Sequence, residues 1–156
     1  MWYRDTGSES FAIVSDTLDH SKNTVFPFTF KLLQSINTLF GLNIKTIDIW
    51  TDGPTSQFKN QYLFHIVGKI FPDLFRHWKI NWNYFATSHG KGAVDGIGGS
   101  IKRLAERIVK SRLCIIKDAE SFADNVEPHT KTVIIHVIPN NINKILAEHG
   151  YAHIFC

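Results

Sequence analysis

Trp82-Asn83-Tyr84-Phe85-Ala86-Thr87-Ser88-His89-Gly90-Lys91-Gly92-Ala93-Val94-Asp95-Gly96-Ile97-Gly98-Gly99 runs an aromatic strand into a loop, and the loop into a basic amphipathic helix. Five of the ten residues from Gly90 to Gly99 are glycine, and the segment also carries His89, Lys91 and Asp95. Glycine at that density gives up backbone entropy, which a chain tolerates where its main chain must turn sharply or approach something closely. Loops at strand ends are where sites concentrate. A polyanion, a metal ion or both would account for the three polar side chains; a flexible surface connection is the plainer alternative.

Outward from this segment, strands and helices alternate. Phe11-Ala12-Ile13-Val14 is a short apolar run suited to a buried strand. The spacing of Phe28, Leu32, Leu33, Ile36 and Leu39 predicts a helix from about Thr24 to Phe40, with Pro27 in its first turn and Gly41 as its stop. A strand is expected from Ile44 to Thr51, with Ile47 and Ile49 on one face and Trp50 on the other, ending at the turn Asp52-Gly53-Pro54. Phe58, Tyr62, Ile66 and Ile70 predict a helix from about Ser56 to Phe71, ended by Pro72-Asp73. The third strand is expected at Ile80 to Ala86. The third helix follows from Ile97 to Arg112, with Ile97, Ile101, Leu104 and Ile108 as a narrow apolar stripe. Asp118 is placed to cap a short helix through Phe122, Thr132 to Ile138 reads as a strand, and Asn141 to His149 as a last helix.

This order is that of an α/β fold, a parallel sheet with right-handed crossovers. The three strands ending near Asp16, Asp52 and His89 are expected to be parallel neighbours in one sheet. Ligands of open α/β sheets gather outside the carboxyl ends of the strands, so Asp16, Asp52 and the glycine loop are expected on one edge. A chain of 156 residues with 44% hydrophobic content makes one domain with a core of its own. The formal charge of +3 permits a nucleic-acid partner without requiring one. Two distant cysteines, Cys114 and Cys156, make neither a disulfide framework nor a zinc knuckle. The chain carries no apolar run long enough for a membrane span and no secretory leader, so the nucleus or cytoplasm is the expected location, not secretion.

Carboxylates converging from separate strands suit hard divalent cations, and two such ions can bind both the attacking and the leaving oxygen of a phosphodiester displacement. Asp52, directly after an apolar strand, fits that role; so does an ordinary Asp-Gly-Pro turn. Asp95 is either a second ligand or a helix-start carboxylate favoured by the macrodipole. Glu106, between Lys102 and Lys110 at four-residue spacings, reads as a solvated salt-bridging residue, and Asp95 is preferred to it. His89 and Lys91 are placed to hold a phosphate or orient a metal-bound water. Gln57, Lys59 and Asn60, at the start of the second helix, offer donors to a backbone phosphate. The glycines fit neither a Walker loop nor a dinucleotide fingerprint.

Two segments together, Thr51-Asp52-Gly53-Pro54-Thr55-Ser56-Gln57-Phe58-Lys59-Asn60 and Trp82 to Gly99, resemble a group of uncharacterised, transposon-derived animal proteins with a ribonuclease H-like core of the transposase and integrase type. The likeness covers roughly Phe11 to Arg112. It implies a mixed sheet, a three-stranded meander followed by helix, strand, helix, strand, helix. Asp52 would match the second carboxylate of the Asp-Asp-Glu/Asp set and Asp95 the third, with two Mg²⁺ or Mn²⁺ ions acting on a DNA phosphodiester.

The chain departs from that pattern at its start. Ten residues precede Phe11, which reads as too few for a two-stranded hairpin, so the first two meander strands and the first carboxylate are expected to be missing. Asp16 and Asp19 do not match the missing position, although Asp16 is the first candidate for a substitute. The expected fold is thus a partial ribonuclease H-like core over residues 1–112, with residues 113–156 a helix-strand-helix extension of the same domain. The expected function is a transposase or nuclease core, truncated and inactive alone. It would bind DNA weakly and salt-sensitively through Lys59, Lys91, Lys102 and Arg103, with a homo-oligomer or a strand-donating partner completing the sheet. The alternative is a non-catalytic α/β domain whose glycine loop binds a phosphate or a partner.

Overall fold

The structure, a computed structural model, describes residues 2–4, 7–18, 22–51, 61–85, 92–112 and 114–138, together with 140, 141, 144 and 147. The architecture is mixed α/β. The chain divides into two compact units, Met1–Thr17 with Lys91–Ile138 and Leu18–Gly90 with Pro139–Cys156.

The unit around residues 18–90 opens with α1 (Lys22–Phe40). Phe26, Phe30, Leu33 and Ile36, three or four residues apart, form its buried side. Because the helix starts at Lys22, Pro27 lies inside it and not in its first turn, where it has no N–H to give to the helix. Gly41 ends the helix as expected, at φ +48 in the left-handed region that glycine adopts without a Cβ clash. After a 3-10 turn (Gly41–Asn43), β4 (Thr46–Thr51) pairs in parallel with β5 (Lys79–Tyr84). Ile47 is buried on one face and Trp50 is 55% exposed on the other, as the alternation predicts.

Between these strands lie α2 (Gln61–His65), a π turn (Ile66–Ile70) and α3 (Phe71–Leu74). The helix therefore runs past Pro72. A π turn shifts the hydrogen-bond register by one residue just before the proline, which has no N–H to contribute. Residues 56–60 of the expected helix lie outside the described residues. The core of this unit is aromatic: Phe26 stacks on Phe30 at 5.9 Å and on Phe71 at 5.7 Å, and Phe75 stacks on Trp78 at 5.2 Å.

The other unit begins with a hairpin. β1 (Trp2–Arg4) and β2 (Gly7–Glu9) pair antiparallel, Arg4 opposite Gly7, so ten residues do suffice for two strands. Two connecting residues are enough for a hairpin when each strand is only three residues long. β3 (Phe11–Val14) pairs in parallel with β6 (Val133–His136), not with β4. Among the described residues, the expected three-strand neighbourhood is thus divided between a β3–β6 pair and a β4–β5 pair. An apolar run identifies a strand but not its partner, and the strand at 133–136 matches β3 residue for residue.

α4 (Ala93–Lys110) starts four residues before the expected Ile97, so Asp95 lies within its first turn. Ile101, Ala105 and Ile108 are buried against Ala123 and Val126 of α5 (Ala119–Val126) and Ile134 of β6. Ile97 and Leu104 pack around them, completing the predicted stripe. Asp118 caps α5 as expected and Ser121 returns the bond, a reciprocal capping box, and the helix runs past Phe122 to Val126. Residues 140, 141, 144 and 147 are helical. No helix among the described residues is long and apolar enough to cross a membrane.

Candidate nucleic-acid interface

β4 and β5 stand in register to their last residues, Thr51 opposite Tyr84, and the Phe85 N–H donates to the Thr51 carbonyl at 3.0 Å. The chain therefore leaves both strands side by side, within the two motif segments. Trp82 Nε1 donates to Thr51 Oγ1 at 3.1 Å on one face, and the exposed Trp50 and Phe85 rings lie 5.4 Å apart on the other. Burial pushes the Tyr84 hydroxyl up from its ordinary value. Asp52, Gln57, Lys59, Asn60, His89 and Lys91 lie outside the described residues.

Asp95 is exposed in the first turn of α4, where its N–H donates to the Gly92 carbonyl at 3.1 Å. Its placement is that of a carboxylate at a helix N-terminus. Asp16 Oδ1 accepts the Ala119 N–H at 2.7 Å, holding the first turn of α5 to the end of β3. That bond gives Asp16 a structural task. Among the described residues, no three His, Cys, Asp or Glu side chains assemble into a metal-holding group.

The basic side chains of α4 separate by helical geometry. Consecutive residues point about 100° apart, so neighbours in sequence do not share a face. Arg103 and Arg107, four apart, line one groove of about 550 Å³ with Ser100, His129, Thr130 and Thr132; Lys102, although exposed, does not. The expected pair Lys102 and Arg103 is thus split, and Arg103 works beside Arg107. Arg103 Nη2 donates to Ser100 Oγ at 3.2 Å, and Ser100 Oγ donates to the Gly96 carbonyl at 2.9 Å. The guanidinium lies back over Gly99, where a Cβ would come within 3.3 Å of Nη1. Glu106 pairs with Lys110 at 4.0 Å, both exposed, as the spacing predicts.

The far wall comes from the chain between α5 and β6. Thr132 N–H donates to Thr130 Oγ1 at 3.1 Å, and Val133 N–H donates to the Ser10 carbonyl at 2.9 Å, anchoring this wall to the strand pair. A family model described as a domain of unknown function, DUF8701, matches residues 1–149. The chain belongs to the DUF8701 family. No curated protein and no solved structure matches it. In this DUF8701 chain, the sequence signal that could have found Arg107 is its place one turn beyond Arg103. His129, Thr130 and Thr132 carried no such signal, because only the β3–β6 pairing and α5 bring them to α4.

Proposed function

We propose that this chain is a transposon-derived, ribonuclease H-like transposase core that holds DNA by its phosphates and does not cut it alone. The observation that carries the reading is the exposed basic surface of α4. Lys102, Arg103, Arg107 and Lys110 all face solvent, and among the described residues only Lys110 of these four is ion-paired, with Glu106. Exposed arginines and lysines supply the sequence-independent part of DNA binding. The parallel β4–β5 pair supports the same reading, because both motif segments leave its carboxyl edge together.

In this reading Asp52 and Asp95 are the oxygen ligands for Mg²⁺ or Mn²⁺. The resemblance matches no residue to the first carboxylate, and loss of one electrostatic contributor costs about 10²–10³ in rate. Purified chain incubated with supercoiled plasmid and Mg²⁺ or Mn²⁺ is expected to bind without nicking. Robust nicking abolished by Asp52→Asn would overturn the inactive half of the reading; absence of binding at low salt would overturn the DNA half. The second reading, a non-catalytic α/β domain that binds a phosphate or partner, is favoured by the structural bond of Asp16.

A further inference from the structure

The groove beside α4 joins two walls of different chemistry. One presents the guanidinium groups of Arg103 and Arg107; the other presents Thr130, Thr132 and, at the rim, the exposed His129. Among the described residues no carboxylate lines it. Glu106, the nearest acid on α4, lines an adjoining groove that shares Ser100, Arg103 and Arg107 with this one, and there it pairs with Lys110. Among the described residues neither arginine has an acidic partner within ion-pair reach. Like charges four residues apart on a helix repel, and an anion between them removes that cost.

The hydroxyls complete the donor set. Thr130 Oγ1 accepts from the Thr132 N–H, which leaves its own proton to donate, and the Thr132 hydroxyl makes no hydrogen bond among the described residues. Ser100 holds the Arg103 guanidinium in place from below. The bare position at Gly99 leaves room for that guanidinium, which any larger residue would crowd at 3.3 Å. Planar guanidinium groups bind phosphate oxygens in paired bonds, and charge-assisted bonds of this kind are about twice as strong as neutral ones.

We propose that this groove is a phosphate-ester site, seating one phosphate of a nucleic-acid strand between Arg103 and Arg107 on one wall and Thr130 and Thr132 on the other. Its volume of about 550 Å³ lies within the span of small-ligand sites, so a sugar and base fit beside the phosphate. The assignment deepens the DNA-binding reading and rests on it for the polymer; recognition of the phosphate belongs to the groove alone. Lys102 lies off the groove.

Calorimetric titration of the full chain with thymidine 5′-monophosphate, inorganic phosphate and thymidine tests it. The monophosphate and inorganic phosphate should compete for one site, and thymidine should not bind. Arg103→Gln and Arg107→Gln should each weaken monophosphate binding about tenfold or more, as loss of a charged hydrogen bond requires. Thr130→Val should weaken it less. Lys117→Gln, an equal loss of charge on the exposed approach to α5, should change it less than about twofold because solvent screens remote charges. Thymidine binding as well as its monophosphate, or equal losses in Arg107→Gln and Lys117→Gln, would overturn the site. So would competition by an acidic peptide but not by phosphate. Duplex binding that persists without monophosphate binding overturns the groove and spares the DNA reading. Monophosphate binding without duplex binding at low salt supports the groove and overturns the DNA reading.

Discussion

The unit around residues 18–90 adds a set of stacked rings to its buried aliphatic side chains, whereas the buried core of the unit around residues 91–138 is aliphatic among the described residues. Phe26, Phe30, Phe71, Phe75 and Trp78 form one connected set of ring contacts in the first. In the second, Ala105 and Ala123 stand where α4 meets α5, with Ile101, Ile108 and Val126 around them. Rings bury large areas and fix one another's geometry. Alanines give close helix packing with less area, leaving the outward faces of α4 to long polar side chains.

Single truncations should break that contrast first. Phe71, fully buried against Phe26 and Phe75, is expected to cost about 3–5 kcal/mol as Phe71→Ala in urea denaturation. Val126, also fully buried, loses only two methyl groups as Val126→Ala, about 2–3 kcal/mol. Equal losses would mean that the two cores are not differently built.

Much of this arrangement was legible in the sequence. The stripe of Ile97, Ile101, Leu104 and Ile108 read correctly because helical periodicity survives without knowledge of the partner. Asp118 read correctly because a cap is a local bond. Partner choice did not: Phe11–Val14 announces a strand, yet its pairing with Val133–His136 depends on chain more than a hundred residues away. The start of α4 was not legible because Gly96, Gly98 and Gly99 disfavour helix by about 1 kcal/mol each. Packing of Ile97 and Ile101 against the core outweighs that. Half of the groove was illegible for the same reason as the strand pair, since the wall at residues 129–132 meets α4 only through the tertiary fold.

A smaller effect sharpens the comparison by pH. The Ser121 hydroxyl, and then the Ser121 N–H, hold the Asp118 carboxyl below its ordinary 3.8. A lowered folded value stabilises the protein above the unfolded value and fades as pH falls through the lowered one. The α5 end of the 91–138 unit should therefore weaken as pH drops below 3.8, and Asp118→Asn should flatten that acid limb. Burial pushes the Tyr62 hydroxyl from 10.0 up to about 12. Its contribution is complete below pH 10.0 and is lost as pH rises from there to about 12, so Tyr62→Phe should flatten the alkaline limb. Thermal melts across pH read both limbs. An alkaline limb unchanged by Tyr62→Phe, or moved by Asp118→Asn, would contradict the assignment of each group to its own unit.

The central claim, that the α4 surface is where this chain meets the DNA backbone, is tested most directly by duplex binding measured over a series of salt concentrations. The affinity should fall linearly with the logarithm of salt, and Lys102→Gln with Arg107→Gln should reduce the slope by about 0.9 for each phosphate no longer neutralised, whatever the duplex sequence. An unchanged slope in that double variant, or no binding at the lowest salt, would contradict it.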